Sequence, residues 1–168
     1  MDAVASEAGM AKGTLYLYFK SKLEIYIAAL QRQIEELDKL THQKVSETAG
    51  SASKLRMFIE TRLAYLDAHS DFFKIYQFEL NHMFLHPTRT NEAFAEYYRR
   101  QVRFLAGLIE DGILAGEFSF DNAEAGAFLV YDAARGVATR RLLGLSKLSL
   151  AEDTTMAINF IWTGIGGR

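Results

Sequence analysis

The 168-residue chain contains no cysteine and only one proline, Pro87. Without cysteine there are no disulfides and no thiol nucleophile, which fits a reducing compartment. One proline is little turn punctuation for an all-β chain of this length, whereas helices do well without a residue that breaks their interiors. No run of eighteen apolar residues occurs, so no membrane span is expected. The N-terminal stretch MDAVASEAG is too polar for a signal peptide, and a cytoplasmic protein is expected. Strong charge of either sign is also missing. The formal net charge is −2, which excludes a protein that is basic all over but not a local basic surface. Residues 1–22 carry Lys12, Lys20 and Lys22 against Asp2 and Glu7, a balance of +1. Glycine-rich phosphate loops and nucleophile elbows are absent too, so neither an enzyme nor a cofactor is expected.

What is present is helical periodicity. Hydrophobic residues make up 49% and charged residues 24% of the chain, the composition of a globular protein. A short helical segment over residues 2–8 stops at Gly9, a residue type common just past a helix end. A second runs from about Lys12 to Phe19. Ser21 and Glu24 then form a capping box. The long helix it opens places Leu23, Tyr26, Ile27, Leu30, Ile34 and Leu37 on one stripe. After a polar break at 48–53, Leu55, Phe58, Ile59, Arg62, Leu63 and Leu66 share a helical face. Ser70 is expected to cap a helix over 72–85 that Pro87 stops. Another begins near Thr90 and closes at Gly116. Asp121 is expected to cap the next, which runs to about Leu143. Ser149 and Glu152 form a second capping box for the last helix, which ends near the glycines after Trp162. The fold class is all-α, with no convincing strand.

Two short helices joined by a tight glycine-containing turn can set the second helix across a DNA major groove. In the second helix Leu15 and Phe19, four residues apart, face the support behind it. Lys12, Gly13, Thr14, Tyr16, Leu17 and Tyr18 occupy the other faces. Gly13 permits close approach to a phosphate backbone. The tyrosine hydroxyls can bond phosphate oxygens, Thr14 a base edge or a phosphate, and Leu17 a thymine methyl. Lys22 lies in the first turn of the next helix, where amides and an ammonium together suit a phosphate.

The stretch Ala8-Gly9-Met10-Ala11-Lys12-Gly13-Thr14-Leu15-Tyr16-Leu17-Tyr18-Phe19-Lys20-Ser21-Lys22 resembles the TetR (tetracycline-repressor) family. That family's pattern has a small-residue turn, Lys-Gly-Thr-Leu-Tyr, an aromatic pair ending in Phe, and Ser-Lys opening the next helix. The resemblance implies DNA contacts from Lys12, Gly13, Thr14, Tyr16, Leu17, Tyr18 and Lys22. It also implies a regulator, expected to be a repressor released from double-stranded operator DNA by a small effector. Many relatives carry Ser or Thr where Ala11 stands, so the recognition helix lacks a side-chain cap here. The family's DNA-binding domain has three helices, and the first is expected to precede Met1. Val4, Ala8, Leu15 and Phe19 are then expected to be partly exposed. The alternative is a TetR-like ligand-binding protein that has lost DNA binding.

The expected organisation is a truncated helix-turn-helix domain with a linking helix over 1–44, then a helical-bundle ligand-binding and dimerisation domain over 45–168. The second domain is rich in aromatics, which suit a small apolar or aromatic effector. The candidate pocket comprises Phe58, Arg62, Tyr65, Tyr76, Glu79, Phe104, Leu108, Tyr131 and Asp132. Its polar members could orient a ligand, and Asp132 is well spaced to pair with Arg135. The stretch 122–143 is rich in small residues and apolar on nearly every side, as for a helix buried against both its own bundle and a partner. A homodimer through the last two helices is therefore expected, with Met156, Ile158, Phe160, Ile161 and Trp162 at the interface. Glu79, His82 and His86 lie at metal-ligand spacing, but no fourth ligand is evident, so no metal is expected. Arg99, Arg100 and Arg103 read as a solvated helix face.

Overall fold

The computed structural model describes residues 1–74 and 89–165; for Leu23, residues 89–94 and Ile165 it describes the backbone alone. The described elements are α1 (Asp2–Glu7), α2 (Lys12–Tyr18), α3 (Lys22–Ser46), α4 (Ser51–Ala68), α5 (Arg89–Leu114), α6 (Ala123–Leu142) and α7 (Leu150–Ile165). Residues 70–74 are also helical, and no strand occurs among the described residues. The expected continuation to Leu85 lies outside them. The chain divides into two compact units, Met1–Lys39 and Leu40–Arg168, and α3 runs through the division.

In the first unit the turn between α1 and α2 is set by Gly9, at φ +63°. That left-handed conformation lets the Gly9 N–H reach the Ser6 carbonyl at 3.1 Å and the Met10 N–H reach that of Ala5 at 3.0 Å. Ala11 begins α2 with no side-chain cap. At the head of α3, Ser21 Oγ accepts from the Glu24 N–H at 3.1 Å, while the Glu24 carboxylate reaches back to the N–H of Lys20 at 2.6 Å. Leu30, Ile34 and Leu37 are buried, with Tyr26 and Ile27 half-buried beside them. The expected exposure of apolar surface is borne out at Val4 and Ala8 but not at Leu15, which is only 5% exposed; Phe19 is half-buried.

The second unit is a bundle whose core interleaves Leu55, Phe58, Ile59 and Leu63 of α4 with Val102, Leu105, Leu108 and Ile109 of α5. Ala127, Val130 and Tyr131 of α6 and Ile158 and Ile161 of α7 complete it. Each large apolar side chain buried there contributes roughly 1.5–3 kcal/mol. Two expectations change at this level. Ile158 and Ile161, placed at a dimer interface from the sequence, are 0% and 5% exposed within their own bundle. The helix face that carries them points inward, and Met156 and Phe160 occupy the outer one. The cap of α6 is Asn122, whose side chain accepts from the Ala125 N–H at 2.9 Å, rather than Asp121. The Ser149–Glu152 capping box forms as expected: Ser149 N–H to the carboxylate at 2.8 Å, Glu152 N–H to Ser149 Oγ at 3.2 Å.

Two non-local fastenings hold the bundle. At the head of α4, Gly50 offers no side chain. The carboxylate of Glu117, from the turn after α5, accepts instead from the Ser51 and Ala52 N–H groups at 3.1 and 2.8 Å. These bonds hold its carboxyl below the usual carboxylate range. The turn passes so close to α5 that a Cβ on Gly112 would stand 2.2 Å from Phe118 Cδ2. At the other end, buried Asp153 of α7 binds Arg140 and Arg141 of α6 and accepts from Ser146 Oγ at 2.7 Å. Arg141 also meets Asp67 of α4 at 2.8 Å and donates to the Leu148 carbonyl at 3.0 Å. Burial pushes the Asp153 carboxyl up, but the hydrogen bonds and the two guanidinium charges outweigh it and hold it below its usual value.

Candidate nucleic-acid interface and effector region

Seven residues make α2, and one of them, Leu15, turns inward and is buried. The opposite surface is open. Leu17 is 83% and Tyr18 74% exposed, and Thr14, Tyr16, Lys12, Gly13 and Lys22 are exposed as well. Nothing lies within 4 Å of where a Gly13 Cβ would be, so no neighbour within the chain demands glycine there. All seven residues named from the sequence thus lie on accessible surface. An apolar leucine held out beside two tyrosines, with a buried anchor behind, is the composition of a surface that meets base edges and phosphates together.

Lys12 is already engaged. Its ammonium lies 2.8 Å from the Asp2 carboxylate, across the turn from α1. The hydrogen bond to Asp2 holds Lys12 above the usual lysine value and holds Asp2 below the usual carboxylate value. A DNA phosphate would have to compete with Asp2 for this cation. The head of α3 is likewise partly occupied, since Ser21 takes the amide of Glu24. Lys22 carries its exposed charge beside that cap.

The residues proposed as an effector pocket fall in two groups. Phe58, Arg62, Leu108 and Tyr131 are buried together in the core of the second unit. Arg62 is their polar centre. Its guanidinium donates to Gln101 Oε1 at 3.0 Å and to the Tyr97 hydroxyl at 2.5 Å, and lies 5.2 and 5.6 Å from the ring centroids of Phe58 and Tyr131. Gln101, 1% exposed, was not singled out from the sequence, and Tyr97 was read as part of the helix face beginning near Thr90 rather than as part of the pocket. Their spacing of four on α5 was the available signal, without a way to tell which arginine they would meet.

The other group lies nearer the surface. Phe104 is half-buried between Phe58, at 6.0 Å, and the ring of His42, at 4.3 Å. Tyr65 stacks on His69 at 4.1 Å. Asp132 is exposed; it accepts from the Tyr98 hydroxyl at 2.8 Å and pairs with Arg135 at 3.5 Å, as its spacing suggested. Burial, then the hydrogen bond to Asp132, pushes the Tyr98 hydroxyl up to about 12. Tyr76, Glu79, His82 and His86 lie outside the described residues. Of the three arginines read as a solvated face, Arg99 and Arg103 pair with Glu96 at 3.0 and 2.6 Å, and Arg100 lies over Tyr97.

The outer face of α6 and α7 carries Leu129, Gly136, Met156 and Phe160, of which Leu129 is 64% and Phe160 74% exposed. A groove of about 300 Å³ runs between the two helices, lined by Ala133, Gly136, Val137, Met156 and Phe160 and ending at Arg140 and Asp153.

Residues 1–29 match the family model for bacterial regulatory proteins of the tetR family. That segment is thus similar to the helix-turn-helix of the tetR family. The HTH-type transcriptional activator FasR of Mycolicibacterium smegmatis is 33% identical over 75 residues, covering 45% of this chain and 34% of that protein. The fatty acid metabolism regulator protein of Bacillus subtilis is 27% identical over 117 residues, 70% of this chain and 59% of that protein. The chain thus spans from a third to three fifths of these relatives. The crystal structure of the transcriptional regulator FadR from Bacillus subtilis, in complex with stearoyl-CoA, superposes with a TM-score of 0.81 at 21% identity, over 96% of this chain and 86% of that one. The fold is TetR-like: a helix-turn-helix followed by a helical C-terminal unit. Among the described residues, no helix is long and apolar enough to cross a membrane.

Proposed function

We propose that this TetR-like chain is a DNA-binding transcriptional regulator, a homodimeric repressor released from its operator by an effector that carries a long apolar chain. The observation that carries the reading is α2: a family-matched recognition helix, anchored by buried Leu15, that holds Thr14, Tyr16, Leu17 and Tyr18 out to solvent. Lys12, Gly13 and Lys22 supply the backbone contacts. The exposed apolar face of α6 and α7 supports dimerisation, with Leu129, Gly136, Met156 and Phe160 at the interface. A two-fold dimer would hold its recognition helices about one DNA turn apart, ~34–36 Å.

For the effector we propose a long-chain acyl thioester, bound in the bundle around Phe58, Arg62, Tyr65, Phe104, Leu108, Tyr131 and Asp132. Support comes from the stearoyl-CoA complex of the FadR neighbour and from the fatty acid metabolism regulator among the relatives. Such a ligand acts through its different affinity for the DNA-competent and DNA-incompetent states. The protein would work in the cytoplasm, on the DNA upstream of its own gene and its targets. The test is a gel shift at low salt with that upstream DNA, with and without stearoyl-CoA. Preferential binding that stearoyl-CoA weakens supports the reading. Binding no better than to random DNA would sink it, and would leave a ligand-binding protein without DNA activity.

A further inference from the structure

We propose that His42, stacked on Phe104, is the positioning residue through which the Arg62 centre governs the end of α3. This deepens the effector reading above and rests on it. The Arg62 guanidinium ties α4 to α5 by its bonds to Gln101 and Tyr97, and its cation–π contact with Tyr131 brings in α6. A ligand entering among these side chains must loosen or redirect that set, moving the 97–101 turn of α5 against α4. Phe104 lies on the next turn of α5 and packs on Phe58, the same ring that lies under Arg62. Its position therefore depends on the centre directly. Phe104 also stacks on His42, with centroids 4.3 Å apart and the rings inclined by 21°.

His42 belongs to the last turns of α3, the helix that follows the DNA-reading segment without a break from Lys22. Thr41 and Val45 on either side of it are buried, at 0% and 3% exposure, and Val45 is part of the bundle core. Those two seat the end of α3 in the bundle beside the imidazole. The imidazole is the part of this helix end that touches the ring most closely coupled to Arg62. Close-packed groups pass a displacement on where a loose interface would absorb it. Because His42 is itself exposed, its ring can be removed without opening a core cavity.

The test compares the full-length protein with His42→Ala and His42→Phe. It measures operator affinity by fluorescence anisotropy with and without stearoyl-CoA, stearoyl-CoA binding by calorimetry, and the thermal midpoint. The wild type is expected to lose operator affinity by ~5-fold or more with ligand, and His42→Ala by under ~2-fold, the scale on which site-to-site coupling is read. His42→Ala should keep ligand binding and midpoint, and His42→Phe should restore the wild-type response. A wild-type response in His42→Ala overturns the proposal, as does a loss explained by failure to bind ligand. If the wild type binds no stearoyl-CoA, the effector reading fails alone, and the relay is read without ligand. Tyr97→Phe removes one bond to Arg62; it should speed amide exchange over residues 39–46 in the wild-type background and leave it unchanged in His42→Ala. Equal acceleration in both backgrounds, or none in either, overturns the relay.

Discussion

Glu117 accepts a 2.8 Å hydrogen bond from the backbone N–H of Ala52, 65 residues earlier in the chain, and so caps a helix to which it does not belong. Gly50 accepts from the Lys54 N–H through its carbonyl but offers the earlier amides of α4 no side-chain acceptor, so the carboxylate serves both as hydrogen-bond acceptor and as counter-charge to the helix dipole. Glu117→Ala is expected to lower the thermal midpoint more than Glu117→Gln, which keeps an acceptor oxygen. Because the Glu117 pKa is lowered on folding, its stabilisation is present above the unfolded-state value and is lost as pH falls through the folded one. The gap between wild type and Glu117→Ala should therefore narrow in acid, which a series of melts below neutral pH would read.

Gly112→Ala should destabilise the same corner. The new methyl group would meet the Phe118 ring at 2.2 Å and Ser51 Cβ at 3.0 Å. Overpacking of this kind costs about 1–3 kcal/mol. Denaturant unfolding checks it: a midpoint unchanged from wild type would mean that Phe118 has room to move.

Asp153→Asn should be the most damaging single change at the α6–α7 corner. It leaves Arg140 and Arg141 facing a neutral amide at a buried position, and breaking such a pair costs on the order of 3 kcal/mol. The Asp153 pKa is lowered on folding, so its contribution is complete above the unfolded-state carboxylate value and disappears as pH falls through the folded one. The variant should accordingly lose less stability than wild type on acidification; parallel pH-stability curves for the two proteins would contradict this.

At the proposed DNA surface, Asp2→Asn is expected to strengthen operator binding by freeing Lys12 for a phosphate. Lys22→Ala should weaken binding to operator and random DNA alike and reduce the salt slope by about 1. Leu17→Ala should weaken operator binding more than binding to random DNA if Leu17 meets bases as proposed. Anisotropy titrations across a range of salt separate the three outcomes.

Phe160→Glu on the outer face of α7 is expected to yield a folded monomer. Sedimentation and far-UV circular dichroism read the two properties independently. A dimer that survives the substitution places the interface elsewhere.

Local features were legible in the sequence, and distant ones were not. The recognition helix could be read because its residues are contiguous, and the capping boxes at Ser21 and Ser149 because partners three residues apart must meet once a helix forms. The cap of α6 was misplaced by one residue because Asp121 and Asn122 are both good acceptors, and only the backbone direction selects between them. Periodicity showed that α7 is amphipathic without showing which face looks inward, so Ile158 and Ile161 were assigned outward. Gln101, Tyr97, Glu117 and the Asp67–Arg141–Asp153 set acquire their roles from helix packing. No spacing along the chain encodes which arginine or which helix end they serve.

The length of α3 carries a consequence of its own. Its 25 residues form one uninterrupted rod, roughly 37 Å long at 1.5 Å per residue. Pivoted at one end, such a rod converts a tilt of about 5° into ~3 Å of travel at the other. Hydrogen bonds to bases and phosphates hold only within ~2.7–3.2 Å. Under the relay proposed above, a displacement of a few tenths of an ångström at His42 would be magnified along the rod by simple leverage, and the proposed grip on DNA would be lost abruptly rather than by degrees.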